Sequence, residues 1–269
     1  MSITRSYEGV RHIVVDDLGD GSITVMPGAR PDVVEASIEG ADDAYLEQIQ
    51  IRHDRDWLRI SFPQQFLRYT KAELRLDVPA GLDYTIKTGS ADISISAEIG
   101  RAKIVSGSGD ITLGNATDLD CSAGSGSISV ARMDGNGSRV RTGSGDVSLG
   151  EVNGPITAKS GSGSVMVKSL RGATLQANSG SGDISVAATS GSVDLRSASG
   201  SLTVGIADNL PAWLDLNSVS GDIRIGLEPT AQPEPGESYL TLRARTASGD
   251  ISIYRALSPS TVRKSSYQA

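Results

Sequence analysis

Ser106-Gly107-Ser108-Gly109-Asp110-Ile111-Thr112-Leu113 is the clearest copy of a pattern that paces most of this 269-residue chain. A hydroxyl residue is followed by Gly-Ser-Gly-Asp and then by apolar-x-apolar. The fourth residue of the tetrad falls at 92, 110, 127, 146, 164, 183, 201, 222 and 250, so about 18 residues separate one copy from the next, with longer steps of 21 and 28 at the end. A fixed period of this length is the signature of a solenoid. Glycine and β-branched residues at this density argue against helix.

The residue after each tetrad and the one two further on are apolar in all nine copies, from Ile93/Ile95 through Ile111/Leu113 and Val147/Leu149 to Ile251/Ile253. Period two means a strand with one face inward. A second strand precedes each tetrad, with inward pairs such as Ile86/Tyr84, Ile104/Ala102, Cys121/Leu119, Val140/Ser138 and Leu195/Val193. Two such strands per coil, stacked coil on coil, predict an all-β, single-chain parallel β-helix, right-handed as parallel crossovers usually are. Aromatic residues make up only 4% of the chain, against 31 glycines, so its core must be built of thin layers of small and branched side chains.

Residues 83–257 carry the regular solenoid. Residues 1–82 read as irregular β entry layers, with Gly19-Asp20-Gly21-Ser22-Ile23-Thr24-Val25 as a degenerate first copy, and residues 258–269 as a disordered tail. A proline-rich acidic stretch from Glu228 to Glu237 interrupts the period.

Each tetrad position has a mechanical reading. The third position is glycine in eight copies, among them Gly109, Gly145 and Gly182, which suggests a positive φ where the chain reverses. The second is always serine, as at Ser108, Ser144 and Ser181, and a column of serines at ~4.8 Å spacing would bridge coils through its hydroxyls. The fourth alternates, Asp110, Ser127, Asp146, Ser164, Asp183, Ser201. Adjacent carboxylates ~5 Å apart repel by about 1 kcal/mol even in bulk water, so alternation relieves the crowding.

Chemistry is harder to find. The net charge is −7, with no basic run to neutralise a phosphate backbone, which argues against nucleic acid. One cysteine, Cys121, excludes an intrachain disulfide. No stretch approaches ~18 apolar residues and the first residues lack a leader pattern, so no membrane span is expected and the chain as written reads as cytoplasmic, with the cell surface by a non-standard route as the alternative. Calcium-binding β-rolls need Gly-Asp turns at both ends of an 18-residue coil, and here only one turn per coil has that character. Both histidines lie outside the repeats, no nucleophile elbow or phosphate loop occurs, and no cofactor is called for. Outward positions of the post-tetrad strand form a bland Ser/Thr row from which Met166 and Arg224 depart, and Trp213 has an outward phase on the other strand. These three are the candidate partner contacts, and the flat row itself could serve a homo-oligomer or a glycan.

Leu74-Arg75-Leu76-Asp77-Val78-Pro79-Ala80-Gly81, followed by Ile86-Lys87-Thr88-Gly89-Ser90-Ala91-Asp92-Ile93, resembles the bacterial adhesin-like β-strand-repeat family, whose function is not defined. The resemblance covers nearly the whole chain and implies a single-chain β-helix without catalytic residues. The expected function is therefore a non-catalytic, adhesin-like binding or scaffold protein with a protein or glycan partner. A glycan-acting β-helix enzyme and an intracellular partner-binding regulator are the rivals.

Overall fold

The computed structural model describes residues 2–40, 43–63, 71–208, 210–229 and 236–256; the expected tail at 258–269 lies outside them. The architecture is the parallel β-solenoid that the 18-residue period predicts. Strands preceding the corners pair only with one another, as Ile156–Ser160 does with Ser138–Thr142 and Ala173–Ser179. Strands following the corners do likewise, Val147–Val152 lying between Ile128–Met133 and Val165–Leu170. Two facing ladders result, and their inward residues form one continuous core. In the post-corner ladder Ile93, Ile111, Ile128, Val147, Val165, Ile184, Leu202 and Ile251 are at most 1% exposed. Burying such a side chain is worth roughly 1.5–3 kcal/mol, and each coil contributes several.

The stack does not follow chain order at either end. Leu240–Thr246 sits between Gly191–Ser197 and Ala212–Ser218, while Ile251–Ala256 sits between Leu202–Ala207 and Ile223–Gly226. The last coil in sequence is thus the penultimate layer in space, and the coil Ala212–Gly226 closes that end. The N-terminal end repeats the arrangement. His12–Leu18 is inserted between Trp57–Ser61 and Leu82–Thr88, and Asp20–Pro27 between Lys71–Val78 and Asp92–Ile95. Beyond these layers the pairing turns antiparallel: Val33–Gly40 pairs with Lys71–Val78 and with Ser2–Glu8, and Gln50–Asp54 with Trp57–Ser61. A four-residue helix, Asp43–Leu46, buries Tyr45 and Leu46 against this end.

Electrostatics give one reason for the intercalation. Stacking in chain order would lay Asp215 beside Asp194 on the outer face. The observed order places Arg243 between them, in register with both, its Nε 2.9 Å from Asp215 Oδ2. The long sequence interval between the tetrads ending at 222 and 250 supplies the chain needed to return under the closing coil.

Candidate binding surfaces

The corner carries the glycines and aspartates that a ligand cradle would use, and its geometry makes it a seam instead. The positive φ expected at the third glycine is not there: Gly109, Gly145 and Gly182 do not adopt it, and left-handed glycines such as Gly137 (φ 102) and Gly172 (φ 62) lie on other turns. Glycine is required for a different reason. A Cβ on Gly109 would overlap the carbonyl oxygen of Ala91, one on Gly145 that of Gly126, and one on Gly182 that of Gly163. Coils meet so closely at the corner that only a bare Cα fits. Ala91 is tolerated because it starts the regular array, where the preceding turn at Gly19–Ser22 has a different conformation, with Gly21 at φ 121.

The bridging hydroxyl also sits two residues earlier than the serine column suggests. Thr142, Ser160, Ser179, Ser197 and Thr246, each preceding its tetrad, are buried. Each donates to the third-position glycine carbonyl of the coil below and accepts from the third-position glycine N–H of its own. Ser160 Oγ, for instance, donates to Gly145 O at 2.9 Å and accepts from Gly163 N at 2.9 Å. The second-position serines Ser108, Ser144 and Ser181 are exposed and hold the neighbouring coil through their backbone N–H groups. Ser220 and Ser248 alone of that column donate from Oγ, to Ala247 O and Ala198 O.

The fourth-position column is a ladder of side-chain acceptors. Asp110 Oδ1 accepts from Ser127 N at 2.8 Å, Asp146 from Ser164 N at 2.7 Å and Asp183 from Ser201 N at 2.8 Å. Serine does the same more weakly, Ser127 Oγ accepting from Asp146 N at 3.3 Å. Each of these three carboxylates is occupied by the backbone of the next layer, a structural duty. Where two aspartates adjoin at the closing coil, Arg224 reaches both Asp222 (2.9 Å) and Asp250 (3.6 Å).

Trp213 and Arg224 fall on the same closing coil, but on opposite ladders. Met166 is four strands away on the Arg224 ladder, in the line Met166, Ser185, Thr203, Ser252, Arg224, so the three do not form one site. Trp213 is 55% exposed and Met166 48%. The closing coil itself is incompletely covered. Ile223 and Ile225, which continue the core ladder, are 42% and 51% exposed, and both its strands pair on one edge only.

One cluster had no signal in the repeat pattern. His12 stacks on Trp57 (centroids 4.3 Å, 8°), and its Nε2 lies 3.0 Å from Asp83 Oδ2, because the inserted strand brings all three into register. Two small cavities also lie at the N-terminal end. One of about 310 Å³ is lined by Ile3, Leu46, Ile49 and Ile51, with Arg5, Asp43 and Glu47 at its rim. Another of about 280 Å³ contains Glu35 and Asp77, which are paired with Arg30 and Arg75. Cys121 is buried in the core, where burial and then Asp120 push its thiol up to about 12. Among the described residues, no group of three or more His, Cys, Asp or Glu is placed to hold a metal ion, and no helix is long and apolar enough to cross a membrane.

Fold and surfaces together define a single-chain β-solenoid whose repeated polar residues serve its own seams. The profile of the Toastrack DUF4097 family, a domain of unknown function, matches residues 42–254, and the chain belongs to that family. Among solved structures it is similar to a protein of Parabacteroides distasonis provisionally named as lipid binding, with 15% identity and a TM-score of 0.52, over 94% of this chain and 97% of that one. A provisionally named adhesin of Bacteroides fragilis gives 16% identity, a TM-score of 0.49 and the same coverage. Another, from Parabacteroides merdae, gives 12% identity and a TM-score of 0.38, over 94% and 96%. At 15% identity the likeness to the first of these is one of fold. Comparison with curated proteins gives no match.

Proposed function

We propose that this protein is a non-catalytic, adhesin-like binding module: a rigid solenoid that engages a partner through surfaces its corners hold in place. The observation that carries the reading is the closing coil. Its core-phase residues Ile223 and Ile225 are about half exposed, where the equivalents in interior coils are buried to 2% or less, and Trp213 stands outward on the same coil. Large exposed apolar groups with unpaired strand edges are features of contact surfaces. The acidic corners, by contrast, are engaged in backbone hydrogen bonds and are poor candidates for acid–base work.

The test is retention against turnover. Surfaces coated with the protein are assayed for retention of bacterial and host cells, alongside release of reducing ends from a polysaccharide panel. The expected result is retention that Trp213→Ala and Ile225→Ser each weaken, with no reducing ends released. Release of reducing ends, or no retention at micromolar coating concentrations, would overturn the reading.

A further inference from the structure

The outer face of the pre-corner ladder is far more basic than a chain of net charge −7 leads one to expect. Two outward columns run along it, each one residue per coil. The first holds Lys103, Arg139 and Arg243 together with Asp120, Asp194 and Asp215, separated by Thr85, Thr157 and Gln176. The second, two residues closer to the corner, holds Lys87, Arg141, Lys159, Arg196 and Arg245 and no carboxylate at all; its remaining members are Val105, Ser122, Asn178 and Asn217. All eight cations are exposed. The three carboxylates are already taken, Asp120 by Arg141, Asp194 by Arg196, and Asp215 by Arg243 and Arg245. Lys87, Lys103, Arg139 and Lys159 have no carboxylate partner among the described residues.

Arg141 adjoins Lys159 and Arg196 adjoins Arg245, like charges side by side on neighbouring strands, which a sheet avoids unless something offsets them. Along each column successive cations are at least 18 residues apart in sequence, so no basic run betrays them. Only the parallel register collects them into a line of nine strands, about 38 Å long at the usual strand spacing.

We propose that this face docks an acidic polysaccharide, a linear chain of sugar carboxylates lying along the solenoid axis over the column from Lys87 to Arg245. The excess charge is a line one residue wide, with Asp120, Asp194 and Asp215 on one side and the corner aspartates beyond the other. A linear polyanion matches that shape, whereas a flat anionic bilayer would also meet the flanking carboxylates. Neither column carries an aromatic ring on which nucleic acid bases could stack. The interleaved Ser122, Gln176 and Asn178 offer hydroxyl and amide partners to sugar hydroxyls, and arginine forks suit carboxylates. Ile223 and Ile225 of the closing coil lie on the other ladder, whereas Trp213 stands on this face two residues from Asp215, outside both columns; the proposal rests on the cations and not on these three residues.

The test uses the full chain with polygalacturonate as the probe, and methyl-esterified polygalacturonate, phosphatidylglycerol vesicles and a single-stranded oligonucleotide as further arms, titrated at low and physiological salt. Polygalacturonate is expected to bind, the ester not, and affinity to fall as salt rises. Arg141→Glu/Lys159→Glu is expected to weaken binding roughly tenfold or more, while Lys168→Glu/Arg171→Glu, off this face with the same charge change, stays within about twofold. Arg141→Gln/Lys159→Gln replaces the reversal if circular dichroism shows that the reversal unfolds the protein. Absence of polygalacturonate binding at physiological salt, tighter binding to vesicles or oligonucleotide, or equal losses in the two charge-reversed variants would each overturn the proposal. Polygalacturonate binding that survives Ile225→Ser, on the opposite ladder, separates this face from the apolar end of the closing coil.

Discussion

At the scale of single residues, the corner assigns distinct work to positions that look alike in sequence. Gly145 is glycine because the carbonyl of Gly126 occupies the space of a Cβ. Gly145→Ala should therefore force the coils apart and cost about 1–3 kcal/mol, as overpacking usually does; a denaturant midpoint equal to that of the parent would refute this account. The two serines flanking Gly161 should behave oppositely. Ser160→Ala strands the buried Gly145 carbonyl and Gly163 N–H, for an expected loss of about 1–3 kcal/mol, whereas Ser162→Ala on the exposed side should stay within about 0.5 kcal/mol. Equal melting shifts in the two variants would mean that the hydroxyl before the tetrad has no special role. The sequence marks both as hydroxyl positions. Burial and a partner within reach in the coil below distinguish them, and neither is a property of the repeat read along the chain.

At the scale of elements, register decides which charges meet. Asp215 is held below the ordinary aspartate range chiefly by the hydrogen bond from Arg243, then by Arg245. Its folded value is depressed, so whatever it adds to stability is present above the ordinary aspartate range and fades as pH falls through the depressed value. Arg243→Gln should move the carboxyl titration of Asp215 upward, read from its carbon chemical shift; an unmoved midpoint would show that Arg243 is not the cause. That contact exists only because strand Leu240–Thr246 lies beside Ala212–Ser218. Strand identity and inward phase were legible from period-two alternation, as Ile251 and Ile253 show. The partner of each strand was not, because neighbouring coils present nearly the same pattern and any order buries similar residues.

At the scale of the whole molecule, an out-of-order coil is slipped between layers near both ends of the solenoid: the last described coil into the penultimate layer at one end, and residues 12–27 beneath the antiparallel strands at the other. Such a coil pairs on both edges, so the ends of the array are held by interior strands. Cysteine pairs test the order directly, since a disulfide needs Cα atoms within about 7 Å. Arg196→Cys with Arg245→Cys should cross-link on mild oxidation, while Arg196→Cys with Asn217→Cys, two layers apart, should not. The reverse outcome would restore stacking in chain order.

By itself the sequence determined the period, the strand phases and the small-residue core, because each follows from local alternation and glycine spacing, and the motifs at residues 74–81 and 86–93 carried the family resemblance. Tertiary structure alone decided why the corner glycines are needed, which hydroxyl bridges the coils, which coil closes the stack, and that cations scattered along the chain align on one face. All four depend on what lies one layer away, about 5 Å in space but 18 or more residues along the chain.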